Sequence, residues 1–273
     1  MKKSNQHFKI RWIKKYIREP REIDNLKHLL KLNLELIPHI RNITNEYYYI
    51  EKCKTIESKD FDSLNFHKLY FNLLVPLHKF KNESFTPGIY KYFGPQNLNY
   101  KVNNQKYIPY IFSKFEKLIQ SASFQFPNLI EDKTFITLLK HLKNMKENFK
   151  NWKPIDGYSL LHGDLHIGNI VKRNNNFLLI DFEYLRYGTA ELEIANLIIS
   201  CLLWNYKNKI NKKELMQLNT EYFKIYSNLS LLDDALLKLF FIFSLSLFYF
   251  SLYLRGKHNE LEVVREITKQ YLN

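Results

Sequence analysis

Apolar and polar residues alternate along "HFKIRWIKKY", residues 7–16, a period of two that predicts a strand. The next stretch, "EPREIDNLKHLLKL", changes period: Ile23, Leu26, Leu29 and Leu30 fall on one face of a helix. "LIPHIRNITNEYYYIEKCKTI" then predicts two short strands around an asparagine-containing turn. From about Phe61 the spacing is helical again, and "FHKLYFNLLVPLHKF" sets Leu69, Leu73 and Leu77 on one face. Residues 82–105 hold two of the seven glycines, two prolines and many asparagines, so they predict a loop or mobile insert. Helical spacing returns from about Tyr107 to Trp152. Two short strands follow, "GNIVKR" and "NFLLIDF", joined at Asn174-Asn175-Asn176, a natural hairpin turn. From about Leu192 to the end the pattern is that of several helices, and no internal repeat is evident.

This order describes a small mixed α+β start, a helical body, and a loop and hairpin set into that body. At 273 residues the chain has room for two lobes and a sizeable core. The longest apolar run, Leu239 to Leu254, lies between Lys238 and Arg255 and contains three serines. It is shorter than the ~20 residues a membrane span needs, so a buried helix is expected and no transmembrane segment. The basic N-terminus has no apolar run behind it and is not read as a signal peptide. The formal charge of +14 comes from Lys and Arg spread along the whole chain, which predicts a solvated basic surface and no specific nucleic-acid function. Cys53 and Cys201 lie far apart without metal-ligand spacing, which suits two reduced thiols in a cytoplasmic protein.

The chemistry is concentrated in "LLHGDLHIGNIVKRNNNFLLIDFEYL", Leu160 to Leu185. Unpaired carboxylates are costly to bury, yet Asp164 and Asp181 stand here beside strand-like runs. Phosphoryl transfer needs oxygen ligands for Mg²⁺ and a carboxylate to orient the acceptor hydroxyl and take its proton. An Asp in a loop, an Asn five residues on, and an Asp returned by a hairpin can meet that need.

"HGDLHIGNI" followed by "LIDFEY" resembles the catalytic loop and metal-binding segment of the aminoglycoside phosphotransferase and choline kinase superfamily, relatives of protein kinases. The resemblance implies an α+β, protein-kinase-like two-lobed fold. Its truncated N-terminal β-lobe, residues 1–55, would bind nucleotide, and its mainly helical C-terminal lobe, residues 56–273, would carry the catalytic loop and substrate pocket. It implies ATP and Mg²⁺ as cofactors and a small-molecule alcohol as substrate. Asp164 matches the catalytic base, Asn169 and Asp181 the metal ligands, and His162 a histidine supporting the loop. Glu193, in "YGTAELEIANLI", stands where relatives carry an Asp that braces this loop. Arg11 or Lys14, paired with Glu22, would hold phosphates, and Glu51 to Cys53 would present backbone groups to adenine. "IDFEYLRYG" and "ELEIA" resemble segments of bacterial choline-kinase-like and thiamine-kinase-like enzymes. Glu183, Trp204 and Tyr206 are the substrate-pocket candidates. Phe248, Tyr249 and Tyr253 add further rings, and aromatic faces suit a quaternary or aromatic cation.

The chain departs from the pattern at its start, because no glycine precedes Gly88 and a glycine-rich phosphate loop is absent there. A nucleotide-binding pseudokinase therefore stands as an alternative. So do an aminoglycoside or sugar kinase of the same superfamily and a kinase working at a membrane surface. The acceptor and the oligomeric state stay open.

Overall fold

The computed structural model describes residues 11–18, 21–56, 70–86, 106–174, 176–207 and 232–272, with positions 213, 217 and 220. In chain order the elements are β1 (Trp12–Tyr16), α1 (Arg21–Lys31), β2 (Ile40–Arg41), β3 (Tyr47–Glu51) and β4 (Lys54–Thr55). A wide π turn, Tyr70–Leu74, runs into α2 (Val75–His78) and β5 (Lys81–Asn82). Then come α3 (Tyr107–Ser123), α4 (Pro127–Glu131), α5 (Lys133–Lys146), β6 (Tyr158–Leu161), β7 (Ile170–Arg173), β8 (Asn176–Leu179) and β9 (Arg186–Gly188). Three long helices close the chain: α6 (Ala190–Lys207), α7 (Asp234–Leu254) and α8 (His258–Leu272).

The strands form three small antiparallel sheets, ordered β1-β3-β2, β4-β7-β8 and β5-β6-β9. In the first, Lys14 lies opposite Tyr49 and Lys15 opposite Tyr48, so the two lysines take opposite faces. The asparagine turn before β3 forms with Asn42 at φ 52°, and Thr44 Oγ1 accepts the N–H groups of Glu46 and Tyr47. In the second sheet, Arg173 faces Asn176 across the hairpin and Asn174 takes φ 55°. Asn175 lies outside the described residues, as do Leu69 and residues 87–105 of the expected insert. The start of that insert is corrected: Lys81–Asn82 is a strand paired to β6, because its backbone groups find partners at Tyr158 and Ser159.

The helical body is built around α7. This helix is apolar on all sides, and such a helix must be covered on all sides. It packs against α5, α6 and α8, with 83% of its most apolar window buried. Asp233 caps it by accepting from the Leu236 N–H, and Ser246 satisfies its hydroxyl on the Ile242 carbonyl. Phe243 is fully buried and packs on Phe112 and Phe115 with ring centroids 5.1 and 5.2 Å away. The predicted helical run from Tyr107 to Trp152 is three helices. Pro127 opens α4, and Asp132 starts α5 by accepting from the amides of Thr134 and Phe135.

Truncating Phe243 to Ala removes this contact between α3 and α7. The expected loss is about 3–5 kcal/mol of unfolding free energy in urea denaturation, with no change in secondary structure at low denaturant.

Candidate active site

β6 delivers the chain to His162, Gly163 and Asp164. Gly163 takes φ +87°, and a Cβ there would sit 1.9 Å from the Tyr184 carbonyl oxygen, so only glycine passes this point. Its N–H donates to Glu193 Oε1 at 2.8 Å, and its carbonyl accepts from Arg186 Nη2. The other Glu193 oxygen meets His78 Nε2 at 3.0 Å. Burial works against the Glu193 charge. The contacts with His78, His162 and the Gly163 amide outweigh it and hold the pKa below the ordinary carboxylate value.

His162 is fully buried against the Phe182 ring, and its Nε2 bonds to the Ile180 carbonyl at 2.8 Å. It thereby ties the loop to the end of the hairpin. Asn169 donates through Nδ2 to the Asp164 carbonyl at 2.8 Å, and its own carbonyl accepts from the Ile180 N–H at 3.0 Å. The eleven residues of sequence between Asn169 and Asp181 are closed in this way. Asp181 adopts φ 72°, ψ 59°, a left-handed conformation uncommon outside glycine and asparagine.

Lys15 reaches Asp181 from the first sheet. Its ammonium lies 2.5 Å from Asp181 Oδ1 and 2.6 Å from Glu22 Oε1, and the buried Tyr48 hydroxyl donates to the same Glu22 oxygen at 2.7 Å. Burial opposes the charge of both Lys15 and Asp181, but their contact raises the lysine pKa and lowers that of the aspartate. α1 docks on the 182–184 turn, where Asn25 donates to the Phe182 carbonyl at 2.8 Å.

The expected partner of Glu22 is therefore corrected: it is Lys15, not Arg11 or Lys14. Strand alternation decides this. Lys14 faces outward with its ammonium 3.8 Å from the Tyr47 ring centre, while exposed Arg11 precedes β1 and gives its carbonyl to the Lys52 N–H. Glu51 to Cys53 form the passage from β3 to β4. The Glu51 carboxylate accepts from Arg173 Nη1 at 3.1 Å and lies 3.1 Å from His39 Nδ1. Cys53 is half-buried, and burial followed by the nearby Glu51 charge raises its thiol pKa. Glu183 does not line the cavity that opens on Asp164. It stands beside Asp181, where burial and then the Asp181 and Glu22 charges push its pKa up.

A cavity of about 440 Å³ opens on Asp164. Asp164, His166 and Gly168 line one end; Leu203, Trp204, Leu247, Phe248 and Leu252 wall it from α6 and α7; Arg255 and Glu260 also border it. Trp204 and Phe248 thus reach the cavity. Tyr249 instead packs in the core on Phe135 and accepts from Arg265 Nε, and the Tyr206 side chain lies outside the described residues. His166 escaped the sequence reading, although its place two residues after Asp164 in "HGDLH" was a usable signal. Among the described residues, no three His, Cys, Asp or Glu side chains gather as a metal cluster. The oxygens of Asn169 and Asp181 are the hard donors that the hairpin brings together.

The sequence profile of the ecdysteroid kinase-like family matches residues 77–230, which include Asp164, Asn169, Asp181 and Glu193. The chain belongs to that family. No curated protein matches it in sequence. In structure, it is similar to a glucosamine kinase (9% identity over 96% of this chain and 74% of that one, TM-score 0.62). It is also similar to the aminoglycoside phosphotransferase APH(4)-Ia (12%, 92% and 81%, 0.58) and to the choline kinase LicA from Streptococcus pneumoniae (14%, 99% and 88%, 0.54). This kinase-like chain thus has the α+β fold of the aminoglycoside phosphotransferase and choline kinase superfamily. Lys15 and Glu22 lie outside the stretch that the family profile matches.

The lowered pKa of Glu193 has a defined sign. The stability it contributes is complete above the unfolded glutamate value of about 4.3 and is lost as pH falls through the lower folded value. Glu193→Gln is expected to be about 1–3 kcal/mol less stable than the parent at pH 7. The gap should narrow below about pH 4, as followed by urea unfolding at each pH.

Proposed function

We propose that the chain is an ATP- and Mg²⁺-dependent phosphotransferase that phosphorylates a hydroxyl of a small molecule. The observation that carries this reading is the tying of Asp164, Asn169 and the segment before Asp181 by hydrogen bonds, with Asp164 lining a cavity and the Lys15 ammonium on Asp181. Charge supports a cation there. The Asp181, Glu22 and Asp164 charges all bear on Glu183, with Lys15 in contact with two of these acids and Arg18 also acting on Asp181. That local excess of negative charge, in a chain of net charge +14, suits a divalent ion.

In this reading Asn169 Oδ1 and the Asp181 carboxylate hold Mg²⁺, which neutralises charge on the phosphates when bound. Lys15 contacts phosphate while Glu22 and Tyr48 fix its position. Asp164 accepts the proton of the acceptor hydroxyl, held in place by the Asn169 and Glu193 contacts to its loop. The segment through residue 55 serves as the nucleotide lobe, Glu51–Cys53 meets the adenine, and the enzyme works in the cytoplasm.

The cavity bears on the acceptor. Its walls are mainly apolar, and besides Asp164 and His166 the charged side chains on it are Arg255 and Glu260. A polycationic aminoglycoside needs more acids than this. A compact alcohol with an aromatic or methylated cationic body fits better, because Trp204 and Phe248 offer ring faces to it. A choline-, ethanolamine- or thiamine-like alcohol is the class we favour. A pseudokinase is the second reading, favoured by the lack of any glycine among residues 1–87, where a phosphate-covering loop would draw on it.

The test is ATP turnover with thiamine, choline, ethanolamine, a hexosamine and kanamycin as acceptors. Asp164→Ala should lose about 10²–10⁴-fold in turnover while still binding Mg-ATP. Asp181→Ala should lose both binding and turnover without unfolding. A folded Asp181→Ala protein with full activity would sink the assignment, and a parent protein that binds no Mg-ATP would favour the pseudokinase.

A further inference from the structure

His166 is held as though its orientation matters. Its Nδ1 accepts the Gly168 N–H at 3.0 Å, which leaves the proton of the neutral ring on Nε2. Gly168 leaves room for the ring: a Cβ at that position would lie 2.8 Å from His166 Cε1 and 3.0 Å from Nδ1. The fixed Nε2 lies 3.8 Å from Asp164 Oδ2, and both residues line the cavity. That separation is too long for a direct hydrogen bond. However, a single oxygen atom can lie ~2.8 Å from both atoms at once, which is an ordinary hydrogen-bond length.

We propose that His166 is a second catalytic residue, whose Nε2–H holds the acceptor oxygen that Asp164 deprotonates. The inference rests on the phosphotransferase reading above and adds a group to it. The acceptor O–H gives its proton to Asp164 Oδ2, and a lone pair of that oxygen forms the new O–P bond. The bond from the γ-phosphorus to its bridging oxygen breaks, and the electron pair leaves with ADP. His166 neither gains nor loses a proton; it occupies another lone pair of the acceptor oxygen and so fixes the direction of attack. The cavity then needs no donor from its apolar walls to orient the hydroxyl.

Two substitutions separate this role from simple support of the loop. In His166→Asn the side-chain oxygen can replace Nδ1 and still accept the Gly168 N–H, but no donor reaches the position of Nε2. In His166→Gln the amide nitrogen can replace Nε2, while the Nδ1 contact is lost. The full chain is titrated with Mg-ADP, then with Mg-ADP plus aluminium fluoride, which mimics the phosphoryl group in flight with water as the acceptor oxygen. Slow ATP hydrolysis by water is followed in parallel.

Mg-ADP affinity should be the same in the parent and both variants. His166→Asn should lose about 10–100-fold in fluoride-complex affinity and in hydrolysis, and His166→Gln should stay within about fivefold of the parent. The reverse order, with Asn near the parent and Gln impaired, would mean that the ring only supports the loop and would overturn the proposal. A parent protein that binds Mg-ADP but forms no fluoride complex would overturn it too, while leaving nucleotide binding intact. A parent protein that binds no Mg-ADP would remove the phosphotransferase reading and this inference with it.

Discussion

One ammonium group, that of Lys15, connects the first sheet to Asp181 at the end of the β7–β8 hairpin. Glu22 is almost wholly buried beneath it, and a buried carboxylate without a partner would cost several kcal/mol. The short contact to Lys15 and the Tyr48 hydroxyl offset that cost at one oxygen. Because the same ammonium also reaches Asp181, α1, β1 and the hairpin must come together for all three charges to be satisfied at once. Their separate positions in sequence, at residues 15, 22 and 181, thus become a single electrostatic requirement of the fold.

The loop of residues 162–169 has an independent hold. α6 presents Glu193 to the Gly163 amide and Ser200 to the Ile167 amide at 3.2 Å, two helical turns apart. Arg186 takes the Gly163 carbonyl from the other side, and His162 spans to the hairpin. Asp164 is therefore carried by a loop whose backbone groups are bonded to surrounding elements. Such prearrangement is what a group aimed at a reacting atom requires, since reorganisation during reaction adds to the barrier. The burial of α7 serves the same end, because its Leu247 and Phe248 form cavity wall while the rest of the helix fills the core.

Much of this was legible from the chain. The short separation of Asp164, Asn169 and Asp181 and the strand-like flanks were enough to expect a hairpin that brings them together. The apolar run at Leu239 to Leu254 was enough to expect a buried helix. The lysine that pairs with Glu22 was not legible, because Lys14 and Lys15 are adjacent and only the face of β1 distinguishes them. The parity of Lys15 with the core-packed Ile17 was the available clue. The aromatic residues misled in part: Phe248 and Tyr249 are neighbours, yet one helix face meets the cavity and the other the core. His166 was overlooked although it stands two residues after Asp164, because spacing alone does not give its 3.8 Å distance to that carboxylate.

The central claim is that Lys15, Glu22 and Asp181 form a nucleotide site despite the absence of glycine from the start of the chain. Calorimetric titration of Mg-ATP into the parent protein and into Lys15→Met tests it most directly. The account predicts Mg²⁺-dependent binding by the parent and an affinity at least about tenfold weaker in the folded Lys15→Met protein. Equal affinities in the two proteins, or no binding by the parent, would contradict it.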